Sequence, residues 1–190
     1  MKDLTSTSFG ILIGFVVPGM MGLLAVAYWL HPARAAFASF ATSSSTFGIT
    51  LLVLLISVGI GVQLSVIRWI VFERIVCRSP GIPDNYFKLL IDEGRRSAFR
   101  SVVDEHYRYH QFHGAMVIVF PVLYFGWGME IFGVSTQALF ASALACLAVW
   151  AALFFGAVDS YRKYVTRGRH MLRGGLHDER NEPEGKGKES

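Results

Sequence analysis

The sequence predicts an all-α integral membrane protein, with four transmembrane helices and a membrane-proximal cytoplasmic helical subdomain. Three observations carry this. Of the 190 residues, 53% are hydrophobic and only 17% are charged, against roughly 25% charged in ordinary soluble domains; the mean hydropathy is +0.42. The charges are also unevenly placed: they nearly vanish across 8–67 and 114–158 and crowd into 68–113 and 159–190. Finally, four stretches reach the roughly 20 apolar residues a helix needs to cross a hydrocarbon core. They are approximately Phe9–Leu30, Phe47–Ile67, Gly114–Phe132 and Ala138–Val158. Backbone groups in lipid must pair within their own segment, so each stretch is expected to be helical.

The first span carries Gly10, Gly14, Pro18 and Gly22 at four-residue spacing, close to one helical stripe. Small residues on one stripe let helix backbones approach closely, and Pro18 removes a backbone hydrogen bond and bends the helix. The stripe serves packing within the chain or a contact with a second copy. "AVAY" at 25–28 is a weak cleavage pattern. The apolar run far exceeds the 7–15 residues usual for a signal peptide, and "MKD" has no net positive charge, so the span is expected to be retained. A loop over 31–46 follows, with Arg34 as its one basic residue.

The second span is expected to continue as a helix through "RWIVFERIVC", with Arg68 reaching back to the water boundary. Pro80, Gly81 and Pro83 then break it, and Asp84 or Asn85 is placed to cap a short helix over 84–93. Gly94 separates that helix from another over 95–113, which leads directly into the third span. There Pro121, near Gly126 and Gly128, predicts a second bend. Trp29, Tyr124 and Trp127 suit the outer interface. Gln63 and Glu130 are the notable polar residues within spans. The fourth span has its own small-residue stripe: Ala141, Ala145, Ala148 and Ala152.

Lys and Arg set orientation. Eight lie in 68–113 and eight in the tail from Arg162 onward, against Arg34 alone in 31–46 and none in 133–137. Both termini and the central segment are therefore expected in the cytoplasm of a bacterial-type inner (plasma) membrane. Arg162, Lys163, Arg167 and Arg169 are expected at anionic lipid headgroups, which attract each such charge by about 1 kcal/mol. Asp159 has Arg162 and Lys163 within reach as partners. Nucleic-acid binding is the runner-up explanation for this charge, but its placement fits membrane topology better. The Gly-, Pro- and charge-rich end, "GGLHDERNEPEGKGKES", is expected to be disordered.

The richest chemistry is "DEHYRYHQFH" at 104–113. At about 100° per residue, His106, His110 and His113 continue the apolar face of Phe99, Val102 and Val103. Arg100, Asp104, Arg108 and Gln111 point away from it. Three readings stay open. The i,i+4 pair His106 and His110 binds a divalent metal with His113 or with Glu73, Asp92 or Glu93, although no HExxH glutamate is present. Alternatively the imidazoles titrate near neutral pH and bias a helix pair, or they simply pack and hydrogen-bond. The last is the plainest, since metal sites need ligands converging from several elements. Arg100 and His106 resemble the Arg-x4-6-His spacing of HEPN ribonucleases over those two residues; they lie on different sides of a straight helix, and no nuclease role is carried over.

Cys77 and Cys146 form no CxxC pair, which speaks against a zinc-ribbon or redox motif. Without a phosphate-binding glycine loop or a nucleophile elbow, the sequence favours a non-enzymatic membrane component. It would act in assembly, docking or sensing through its cytoplasmic helices, as a homo-oligomer or with a cytoplasmic protein. The alternatives are a small channel and a metal-dependent membrane enzyme using the His106/His110/His113 face.

Overall fold

The computed structural model describes residues 10–42, 46–77, 82, 88, 90–91, 93–131 and 136–181. Among these there is no strand. The helices are α1 (Val17–Trp29), α2 (His31–Thr42), α3 (Thr46–Arg68), α4 (Glu93–Val102), α5 (Arg108–Ile131) and α6 (Thr136–Asn181). Three wider π-helical stretches adjoin them: Leu12–Val16 before α1, Trp69–Val76 after α3, and Val103–Tyr107 between α4 and α5.

Three helices are long and apolar enough to cross a membrane: Leu12–Trp29, Phe47–Val76 and Phe140–Leu172. They match the first, second and fourth expected spans. The third expected span lies within α5, which runs to Ile131, and Phe132 falls outside the described residues. α5 is the centre of the bundle and packs against α1, α3 and α6. Its Ala115, Met116, Val117 and Val119 are buried; Ala115 and Val119 cluster with Ala25 and Leu64, and Val117 with Phe72 and Ala157. Outside, large apolar side chains face outward, among them Leu52, Leu55, Phe140, Leu144 and Phe155, while Arg68 and His110 are buried. That arrangement is the reverse of a soluble protein's habit.

α1 and α3 cross at glycines. A Cβ on Gly19 would strike the Ser57 backbone, and one on Gly61 would strike the Phe15 backbone. Ser57 is itself enclosed, and its hydroxyl donates to the Val53 carbonyl at 2.7 Å. The small-residue stripe of the first span lies on the neighbouring flank. Gly10 and Gly14 face Arg108 and Gln111, Gly22 faces Ile60 and Leu64, and Pro18 is fully buried.

The two prolines leave different traces. The π-helical stretch Leu12–Val16, where Val17 N–H reaches back to the Leu12 carbonyl, ends just before Pro18. Pro121 has no N–H for the Val117 carbonyl four residues earlier. The indole of Trp150 on α6 donates to that carbonyl at 3.0 Å. A backbone acceptor orphaned by the proline is thereby satisfied from a neighbouring helix. Trp29 similarly donates to the Val122 carbonyl at 2.9 Å, and Tyr124 and Ser142 hydroxyls lie 2.8 Å apart.

Several local expectations change. Most of the predicted 31–46 loop is helix α2: its Ala-rich composition favours helix, and the break is a single extended residue, Leu30, two positions before Pro32. Gly94 lies inside the first turn of α4 rather than between helices. Asp84 and Asn85 lie outside the described residues, as does the Glu130 side chain. α6 continues past Gly174 and Gly175 to Asn181, beyond the point where composition places the end of order.

Candidate functional site

The site is where the π-helical stretch after α3 meets the one that precedes α5. π turns inside helices concentrate at functional positions because they re-aim side chains. In an α-helix, residues five apart point well away from one another. Here the widened turn after α3 brings Arg68 and Glu73 together at 3.0 Å. Arg68 is 2% exposed, and its aliphatic stem lies over Gly114, where a Cβ would collide with it. The sequence placed Arg68 at the water boundary. The structure instead buries it, because a carboxylate one wide turn away neutralises the guanidinium and a glycine on α5 leaves room for the stem.

Tyr107, from the π turn on the facing helix, closes the pair. Its hydroxyl lies 3.5 Å from Glu73 Oε1 and from an Arg68 nitrogen. The Arg68 guanidinium sits 5.6 Å from the Tyr107 ring centroid. Next to it, His110 is fully enclosed. Its Nδ1 is 2.8 Å from the Ala157 carbonyl on α6. A carbonyl can only accept, so Nδ1 carries the proton. The other nitrogen, Nε2, lacks a hydrogen-bond partner and lies 4.0 Å from Glu73 Oε1. Phe72, Tyr107 and Tyr161 surround the imidazole, with centroids 5.8, 6.1 and 4.9 Å away. The group ties α3, α5 and α6 together through a charge pair and a ring of aromatics.

The three histidines are not equivalent. His106 is buried one turn below His110, 4.0 Å from Glu105. His113 is half-buried against Gly156. Their face meets α6 chiefly, and α3 through Glu73 and Phe72. Among the described residues, no group of three or more His, Cys, Asp or Glu side chains is placed to hold a metal ion. Arg100 is exposed while His106 is buried, so the two lie apart in their surroundings. Beyond Arg100, the opposite face of this helix is partly covered too: Arg108 pairs with Asp104 at 2.6 Å and lies against Gly10, with Gln111 beside Gly14.

Of the basic residues assigned to headgroups, Lys163 pairs with Asp159 at 2.6 Å and Arg167 approaches Glu105 at 3.8 Å. Arg162 is exposed and Arg169 half-buried. In the same stretch, Tyr161, Val165 and Leu172 are buried, and Tyr164 meets Phe99 of α4. This stretch therefore docks α4 on one side while presenting charge on the other. Ala141, Ala145, Ala148 and Ala152 all face outward, as does Gln63.

Comparison with protein-family models, with curated proteins and with solved structures finds no match. Function therefore rests on geometry.

Sequence reasoning named the histidines, and Glu73 among the carboxylates that could join them, but missed Arg68, Tyr107 and Tyr161 as their company. A signal existed for Glu73: it is an acidic residue inside an otherwise apolar helical run. Burial holds the His110 imidazole far below its ordinary value of 6.5, at about 3, and Arg68 pushes the same way, against the Ala157 carbonyl. Burial also lowers His106 and His113.

The groups facing His110 are Arg68 at the end of α3, Glu73 in the π turn that follows, Tyr107 and His113 from its own helical run and Tyr161 from α6. Between pH 6.5 and about 3 the unfolded chain binds a proton at this position that the folded chain refuses, so stability contributed above pH 6.5 is lost as pH falls through that window. Melting profiles across this range should show a shallower acid-side decline for His110→Asn, which keeps a donor for Ala157 but does not titrate. An unchanged slope would remove His110 from the acid response.

Proposed function

We propose that the chain is a four-span protein of a bacterial-type plasma membrane with both termini in the cytoplasm. Its role is to hold a helical platform rigidly against the inner membrane face, where it docks a soluble partner or passes on a change sensed in the bilayer. The observation that supports this reading is the continuity of α6. At 1.5 Å per residue its 46 residues extend about 69 Å, more than twice a hydrocarbon core. Its apolar half packs on α5 and its basic half on α4. A displacement of the span is therefore carried directly to the platform. The outward stripe of Ala141, Ala145, Ala148 and Ala152 is the surface left for a second copy, since small residues permit close helix approach in lipid.

A channel through one copy has less support, because the space above the charged cluster is filled by Ala25, Leu64, Ala115 and Val119. The test is topological. With Cys77 and Cys146 replaced by serine, Ser39→Cys should react with an impermeant maleimide in intact cells, and Thr166→Cys only in inverted vesicles. Labelling of Thr166→Cys from outside, or recovery of the protein without detergent, would overturn the proposal.

A further inference from the structure

A groove lies on the outer side of the charged cluster, between the end of the second span and α6. It has a volume of about 450 Å³, and its walls include Val76, Cys77, Phe154, Val158, Tyr161 and Arg162. Val165, Thr166 and Arg169 complete its far end.

Two features give it a direction. Along α6, Phe154, Val158, Tyr161, Val165 and Arg169 fall on one helical stripe, with Phe155, Arg162 and Thr166 on the next. The floor therefore changes steadily from aromatic and aliphatic to hydroxyl and guanidinium over about 22 Å. In addition, the described residues that line it include two arginines and no carboxylate. An apolar trough opening into a doubly cationic end, at the level where the spans emerge, is complementary to one molecule: an acyl chain joined to an anionic phosphate.

We propose that this groove binds a single anionic phospholipid. The phosphate lies between Arg162 and Arg169 with the Thr166 and Tyr161 hydroxyls at hand, and one acyl chain runs along Phe154, Phe155 and Val158. Arg162 and Arg169 sit two turns apart on the same face, so both guanidinium groups reach one phosphate, and such forks suit phosphate oxygens better than an ammonium does. The bound lipid would bridge α3 and α6 beside the Arg68–Glu73 pair. This inference rests on the membrane-embedded reading above but assigns a site and a ligand class that the reading does not.

The experiment uses detergent-purified full-length protein, titrated with phosphatidylglycerol or phosphatidylcholine and weighed intact by native mass spectrometry. Phosphatidylglycerol adducts are expected at tenfold or greater preference. The preference should fall to near unity in the Arg162→Gln/Arg169→Gln variant, or drop several-fold in Arg162→Gln alone should the double variant prove unfolded by circular dichroism. In a Cys146→Ser background, phosphatidylglycerol should also slow maleimide modification of Cys77, which lines the groove, and phosphatidylcholine should not. Equal retention of the two lipids, or a preference untouched by the arginine variants, overturns the site while leaving the membrane reading intact. Displacement of the lipid by equimolar inorganic phosphate would make it a free-phosphate site and overturn the lipid assignment. A protein that stays soluble without detergent would instead remove the membrane reading itself.

Discussion

Gly19→Ala and Gly61→Ala should each lower stability in detergent by about 3 kcal/mol or more, at or beyond the upper end of the 1–3 kcal/mol typical of overpacking. At both positions the added methyl would meet backbone rather than a flexible side chain: the Ser57 carbonyl at Gly19, and the Phe15 carbonyl at Gly61. Relief requires α1 and α3 to separate along their whole crossing. That would also disturb the cluster of Ala25, Leu64, Ala115 and Val119.

Gly59 provides the control. It lies two positions from Gly61 on the same helix, and a Cβ there has open space around it. Alanine is favoured over glycine within a helix by up to about 1 kcal/mol, so Gly59→Ala should be neutral or stabilising. Equilibrium unfolding in mixed micelles measures all three. Equal effects at Gly59 and Gly61 would show that the loss is not steric.

Glu73→Ala should cost about 3–5 kcal/mol, the range for a buried ion pair that loses one partner. The reason is asymmetry. Glu73 retains 18% exposure, but Arg68 retains only 2% and cannot reach water. Removing the carboxylate strands a cation among Phe72, Gly114 and Tyr107. Arg68→Met/Glu73→Leu should recover most of the loss, because a buried pair replaced by apolar residues of similar volume is often neutral.

Tyr107→Phe should cost less than about 1 kcal/mol, since its hydroxyl contacts at 3.5 Å are long for hydrogen bonds. A double-mutant cycle on Arg68 and Glu73 separates their coupling from the loss of packing over Gly114. A coupling near zero would mean that the pair is incidental to the joint between α3, α5 and α6.

Much of the helical framework was readable from the chain. Runs of apolar residues of bilayer length located three of the long helices, because hydrophobic length is a local property. The helix over 95–113 was also readable, as was its direct passage into the following apolar run, because its apolar positions recur at helical spacing; Gly94, read as a break before it, instead falls within its first turn. Asp159 and Lys163 found each other because an i,i+4 pair is decided within one turn.

The loop assigned to 31–46 shows where local reading slipped. The alanines of α2 favour helix whatever surrounds them. The basic stretch from Arg162 slipped differently. Its charge was visible, but the burial of Tyr161, Val165 and Leu172 depends on α4 and α5 lying alongside.

By itself the sequence determined helix length, apolar character and the crowding of charge into two blocks, since each follows from residues close together along the chain. The tertiary structure alone decided which polar groups are buried. Arg68 reaches Glu73 only because the backbone widens to π geometry after α3. His110 reaches the Ala157 carbonyl across 47 residues of chain. Gly19 and Gly61, rather than the four-residue stripe, carry the closest approach, because their separation depends on the crossing point of two helices. No periodicity within one segment encodes where a second segment will lie.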